Sequence, residues 1–291
     1  MSILVDSETK VLCQGMTGRL GTHHTWSAIA YGTQIVGGVR PGKGGSTHLD
    51  LPVFDTVAEA RTATGAEASL ILVPAERAAE AMIEAIEAQM PLIVCVTERV
   101  PVLDMVRVRQ ALDGSSSRLL GPNTQGVFAP RKCKIGVMST VHELPGRIGI
   151  VSRSATLTSE VVAQTTNLNL GQSTCVGIGG DPVHGVGFAQ CIELFLSDPE
   201  TDGIILIGEL GGSEEESAAE FMKTNKPEKP VVALIVGRHA PQERRMGHAG
   251  TLSVFGRADA DSKIETLRAA GAHIAPDAHL VGETMRQALA N

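Results

Sequence analysis

Lys10-Val11-Leu12-Cys13-Gln14-Gly15-Met16-Thr17-Gly18-Arg19-Leu20-Gly21-Thr22 runs an apolar strand into a glycine-rich turn and then into the start of a helix. A backbone without Cβ atoms lets a phosphate approach closely, and the helix amides and dipole then stabilise its charge. The spacing is G-x-x-G-x-x-G, whereas dinucleotide enzymes use G-x-G-x-x-G. The next strand, Gln34-Ile35-Val36-Gly37-Gly38-Val39, ends in Arg40 with Lys43 close behind. A nicotinamide cofactor would call for Asp or Glu there, to hold the ribose hydroxyls. A basic end suits a ligand with an extra ribose phosphate, either NADP or the 3′-phospho-ADP part of CoA. A tight turn with no ligand would use the same glycines. The run Gly37 to Gly44 also nearly matches a P-loop, but Gly44 stands where Ser or Thr would ligate magnesium.

Outward from this stretch, short aliphatic runs alternate with Ala- and Glu-rich segments. Ser69–Val73 reads as a strand before a helix over Ala75–Ala88, and Leu92–Val96 as a strand before a helix near Leu103–Leu112. Such alternation implies right-handed crossovers and a parallel sheet. The polar stretch Glu143-Leu144-Pro145-Gly146 reads as a break, after which the pattern restarts. Strands are predicted at Arg147–Ser152, Gln172–Val176, Gly203–Ile207, Pro230–Ile235 and Ala272–Ala275. The expected fold class is α/β with two parallel sheets. A Rossmann-like ligand-binding domain is expected over residues 1–144 and a flavodoxin-like domain over residues 145–291.

Bulk properties narrow the partners. A net charge of −7 and a single Trp and Tyr argue against nucleic acid, which needs basic surface and stacking aromatics. Cys13, Cys95, Cys133, Cys175 and Cys191 follow no C-x-x-C spacing and sit in apolar segments, which suits reduced thiols. The start Met1-Ser2-Ile3-Leu4-Val5-Asp6 resembles no targeting signal, and no apolar run approaches a membrane span. The expectation is a cytoplasmic protein with no membrane partner.

Three segments at predicted strand ends carry chemistry. In Arg244-Arg245-Met246-Gly247-His248-Ala249-Gly250, two arginines favour an anion and the glycines leave room beside the His248 ring. Ser152-Arg153-Ser154-Ala155-Thr156-Leu157-Thr158 precedes a helix expected to begin near Ser159. Its hydroxyls suit either a cap or an anion in front of the helix dipole. Gly208-Glu209-Leu210-Gly211-Gly212 places a carboxylate that can accept a proton from one imidazole nitrogen, leaving the other to attack phosphorus.

Several blocks resemble succinyl-CoA synthetase α subunits, in order along nearly the whole chain. They are Gly15–Thr22, Val36–Gly45, Gly121-Pro122-Asn123, Ser152-Arg153-Ser154, Gly177–Pro182, Gly208–Gly212 and Arg245–Gly250. The resemblance implies CoA binding by Thr17, Gly18, Arg19, Leu20, Lys43, Val96, Thr97 and Glu98. It implies a phosphoryl group carried on His248 with Glu209 on its ring, and substrate or phosphate contacts from Ser154, Thr156 and Ser159. It further implies an ATP-grasp β subunit, in an αβ or α2β2 assembly, which binds Mg2+ and ATP or GTP; no metal site is expected in this chain. The implied reaction joins a small dicarboxylate to CoA. Three positions depart from the family pattern: Thr124-Gln125 after Pro-Asn, Ala155 after Ser-Arg-Ser, and Ser159 in place of a Tyr that contacts the acid. They leave open succinate against malate or itaconate. An NADP-dependent oxidoreductase would leave the histidine segment unexplained, and a non-catalytic CoA-binding module would not need Met246–Gly250 intact.

Overall fold

In a computed structural model that describes residues 2–241, 247–248, 250–251 and 259–291, the chain forms two compact units. The first comprises Leu4–Met138 with Val183–Val186. The second comprises the described residues of Met1–Ile3, Ser139–Pro182 and Gly187–Asn291.

The first unit runs β1 (Lys10–Gln14), α1 (Arg19–Tyr31), β2 (Gln34–Val39), β3 (Thr47–His48), β4 (Leu51–Phe54), α2 (Val57–Thr64) and β5 (Ala68–Ile71). It continues through α3 (Ala75–Glu87), β6 (Leu92–Cys95), α4 (Val102–Leu112), β7 (Arg118–Leu120), β8 (Gly126–Ala129) and β9 (Cys133–Gly136). Strand order is β3-β4-β2-β1-β5-β6-β7, parallel throughout except the short β3–β4 pair. With that terminal pairing aside, this is the doubly wound 3-2-1-4-5-6 order of a Rossmann fold, and it reverses between β1 and β5. Strands β5 and β6 are buried along their whole length, as a sheet covered on both faces requires. Helix α3 buries Ala78, Met82, Ala85 and Ile86 at helical spacing, and Leu12, Ile71, Ile93 and Val108 complete the core.

The second unit runs β10 (Pro145–Ser152), α5 (Ala155–Asn167), β11 (Gln172–Gly177), α6 (Phe188–Ser197), β12 (Gly203–Glu209) and α7 (Glu214–Asn225). It ends with β13 (Val231–Val236), α8 (Ala260–Ala269), β14 (His273–Ile274) and α9 (Val281–Ala288). These strands are all parallel in the order β14-β13-β12-β10-β11, the flavodoxin-like 2-1-3-4-5 arrangement read from the other edge. Ile150, Ile205, Leu206, Val232, Phe188 and Phe195 fill its interior.

Two local expectations need correcting. The division between the units falls at Met138–Ser139, a few residues before Glu143–Gly146, and Pro145-Gly146 already opens β10, since proline is tolerated at the first position of a strand. Helix α5 begins at Ala155, four residues before Ser159, because the Ser154 hydroxyl accepts from the Leu157 amide at 3.3 Å and caps the helix there. All five cysteines are buried and outside any disulfide, and burial pushes Cys13 and Cys133 up to about 12. No described helix is long and apolar enough to cross a membrane.

Candidate active site

In the second unit the strand ends on either side of the β10–β12 reversal carry the chemistry. Glu209 is the last residue of β12 and is nearly buried, with 8% exposure. Both of its carboxylate oxygens lie 2.9 Å from Nδ1 of His248. The histidine backbone is tied in turn, since its carbonyl accepts from the Thr251 amide at 3.1 Å and from the Thr251 hydroxyl at 2.7 Å. One face of the imidazole lies against Gly180, after β11, so closely that a Cβ there would sit 2.4 Å from the ring.

The hydrogen bond to Glu209 is the main reason His248 titrates above its ordinary value of 6.5. Burial opposes that rise, Arg153 opposes it, and Asp181 adds to it. A carboxylate on Nδ1 selects the tautomer in which Nδ1 carries the proton and the Nε2 lone pair is free. The arrangement therefore offers a nucleophilic nitrogen with its counter-charge in place.

Arg153 is the member of this cluster to which the sequence assigned no role. Its side chain is 2% exposed, and Nη2 lies 3.2 Å from Glu209 Oε1 and 3.4 Å from the Gly180 carbonyl. Behind it stand Glu215 and Lys263, both fully buried and 2.7 Å apart. No local pattern marks either one, since a helical Glu or Lys is ordinarily solvent-facing. Only the contradiction of a charge in an otherwise core position could have flagged them.

The remaining predicted residues of this unit fall on α5. Ser154 is spent as the cap, Thr156 is exposed in the first turn, and the Ser159 hydroxyl donates to the Ala155 carbonyl at 3.4 Å. Arg244, Arg245, Met246 and Ala249 lie outside the described residues.

In the first unit, the ends of β1, β2, β5 and β6 enclose a cleft of about 1400 Å³. Thr17, Gly18, Arg19 and Leu20 form one wall at the start of α1; Val96, Thr97 and Glu98 form another after β6. Gly18 is the N-cap of α1 and supplies no side-chain cap, so the helix presents its amide end without a competing oxygen from that residue. Arg40 also lines the cleft, with Nη1 donating to the Thr17 hydroxyl at 2.6 Å. A basic, glycine-edged helix start beside an open cleft fits the phosphates of CoA. Arg77 and Glu80, from α3, line the same cleft and were not anticipated.

Lys43 does not line the cleft. It sits on the following loop, where Asp55 accepts from the Lys43 amide at 3.0 Å and the Gly44 amide at 2.8 Å. Those backbone bonds, Gly44 first, hold the Asp55 carboxyl below the usual range. Gly44 is required by the packing: a Cβ would come 2.5 Å from the Asp55 carboxylate. The residue that spoils the P-loop pattern is thus fixed by a loop built around Asp55. Among the described residues, no group of three or more His, Cys, Asp or Glu side chains is arranged to hold a metal.

Comparison with known proteins agrees with this division of labour. Residues 6–99 match the family model of a CoA binding domain, and residues 151–273 match that of CoA-ligase. Fold and site together define a CoA-binding chain of the CoA-ligase class. It is 47% identical over 288 residues to a Staphylococcus aureus succinate–CoA ligase [ADP-forming] subunit alpha, covering 99% of this chain and 95% of that protein. The Aquifex aeolicus protein of the same name is 48% identical over 291 residues, with the same coverage. The chain belongs to the succinate–CoA ligase α-subunit family. Among solved structures, Methanosaeta concilii ATP citrate lyase in complex with (3S)-citryl-CoA superposes with a TM-score of 0.89 at 24% identity. That match covers 99% of this chain and half of the lyase chain, and shows a shared fold.

Proposed function

We propose that this chain is the α subunit of a ligase that makes succinyl-CoA, or a closely related dicarboxylyl-CoA, from acid, CoA and ATP or GTP. The observation that carries the reading is the pair formed by His248 Nδ1 and the Glu209 carboxylate at 2.9 Å. A carboxylate is a poor acyl donor because oxide would have to leave. In the proposed sequence, His248 Nε2 attacks the terminal phosphorus of the nucleotide as the bond to the diphosphate breaks. The N–P bond then breaks as a carboxylate oxygen of the acid takes the phosphoryl group. The CoA thiolate finally attacks the acyl carbon and phosphate leaves. Glu209 takes up the positive charge that builds on the ring during phosphorylation.

CoA is assigned to the cleft of the first unit, with Thr17, Gly18, Arg19, Leu20, Val96, Thr97 and Glu98 as its walls and Arg40 at its phosphate end, and Lys43, on the loop outside the cleft, is assigned to a phosphate that projects beyond those walls. Nucleotide and Mg2+ are assigned to an ATP-grasp β subunit, in keeping with the "subunit alpha" in the relatives' names. Ser154 and Thr156, at the capped start of α5, are assigned to phosphate, and Ser159 to the acid.

The deciding experiment supplies γ-labelled nucleoside triphosphate to the chain with its β subunit. Acid-labile, base-stable label on the wild type and none on His248→Asn is the expected result. Label of equal intensity on the variant would refute the reading. A second measurement concerns CoA: Arg40→Ala and Lys43→Ala are each expected to weaken CoA binding by about 1–3 kcal/mol, the scale of a charged hydrogen bond. Binding of dephospho-CoA should change less. Calorimetry that finds both ligands weakened equally would move the ribose phosphate away from this loop.

A further inference from the structure

Behind the histidine lies a buried row of charges that the proposed reaction does not use. Glu215, in the first turn of α7, is fully buried, and its Oε1 accepts from the backbone amide of Glu209 at 3.0 Å. The same oxygen lies 3.8 Å from Nη1 of Arg153, too far for a hydrogen bond but within ion-pair range. Its other oxygen takes Lys263 of α8 at 2.7 Å, and Lys263 also donates to Glu216 at 2.6 Å and to the Gly212 carbonyl at 3.1 Å. Arg153 is therefore shared. It leans on Glu209 at 3.2 Å, stands off from Glu215, and keeps two buried donors, Nε and Nη1, with no hydrogen-bond partner among the described residues.

Buried, unsatisfied guanidinium donors are costly, so Arg153 has reason to move toward whichever carboxylate is less occupied. Lys263 occupies Glu215 and so leaves Arg153 to Glu209. We propose that Glu215 and Lys263 are positioning residues: they divide the Arg153 guanidinium between two carboxylates, and through Glu209 they set the aim and basicity of His248. The role as a positioning device for phosphoryl transfer rests on the function proposed above, whereas the coupling itself does not require phosphorylation. Among the described residues, the charged groups that act on the His248 ring are Glu209 at the end of β12, Arg153 after β10 and Asp181 after β11.

The test is an NMR titration of the His248 imidazole in the full chain, its signal identified by its loss in His248→Asn. In Glu215→Gln, Arg153 has no competitor, draws on Glu209 more strongly, and the His248 pKa should fall by about half a pH unit or more. In Lys263→Met, Glu215 captures Arg153, Glu209 is released to the histidine, and the pKa should rise by a similar amount. The double variant should match Glu215→Gln alone, because Lys263 acts only through Glu215. A field acting directly through space predicts cancellation in the double variant, since a whole ion pair has been removed. General loosening of α7 and α8 predicts the same direction of change in both single variants. Either of those results overturns the proposal, as does an unmoved His248.

Should Lys263→Met fail to fold, Glu215→Gln and the double variant, which leaves no unmatched charge of the pair, decide between coupling and cancellation. Labelling of His248 in the same variants, with the β subunit present, is read separately. A wild type that takes no label would sink the proposed function and leave the pKa pattern standing. The expected pKa pattern with unchanged labelling rates would overturn the positioning role.

Discussion

Gly180→Ala is expected to lower the rate of His248 phosphorylation and of ligase turnover by about 10²-fold or more, while CoA binding stays at the wild-type level. The new methyl group would stand 2.4 Å from Cδ2 and Cγ of the imidazole and 2.5 Å from Nδ1, inside any allowed contact. Backbone strain is not the cause, since Gly180 is absent from the positive-φ glycines. The ring must swing away, and in doing so it gives up the 2.9 Å bond to Glu209. The chain should remain folded, because the displaced group is a half-buried side chain at a strand-end loop and no core packing is lost. Measured side by side, calorimetry with CoA and label incorporation should separate cleanly. Wild-type labelling by the variant would mean that the ring does not work from its place over Gly180.

Glu209→Gln tests the other side of the same ring. The amide cannot neutralise the imidazolium, and its NH2 end can donate to Nδ1 and favour the wrong tautomer. Phosphorylation should slow by about 10²- to 10⁴-fold. The pH dependence supplies a sign. Glu209 is the largest cause of the upward displacement of the His248 pKa, so its loss should move the acid limb of the rate profile to lower pH even as the plateau drops. Stability follows the same linkage. A histidine raised by folding contributes stability that is fully present below its unfolded value of about 6.5 and is lost as pH rises through the folded value. Wild type should therefore show a stability decrement as pH rises above about 6.5 that Glu209→Gln lacks. Parallel pH–stability curves for the two proteins would remove His248–Glu209 from the account.

Both domain architectures were legible because they rest on local signals. Apolar runs of four to seven residues, separated by Ala-rich helices with helical spacing, leave little choice but parallel strands covered on both faces. The short pieces β3 and β7 escaped notice: with two and three residues they are too short to display a period. Helix α5 was placed late because Ser152, Ser154, Thr156, Thr158 and Ser159 all have capping hydroxyls, and sequence does not say which one meets a free amide.

The sequence by itself determined the two parallel-sheet units, the glycine-rich helix start in the first and the presence of a histidine segment after β13 in the second. These follow from periodicity, turn chemistry and residue type, all of which act over a few neighbouring positions. Tertiary structure alone decided which charges meet. Glu209 and His248 lie 39 residues apart, Glu215 and Lys263 48 apart, and Gly180 reaches the ring from a different strand end. Lys43 shows the converse: beside Arg40 in the chain, it is carried past the cleft by a loop wrapped on Asp55. A charge is buried only where a distant partner offsets its desolvation, and that partner is chosen by the order in which strands enter the sheet.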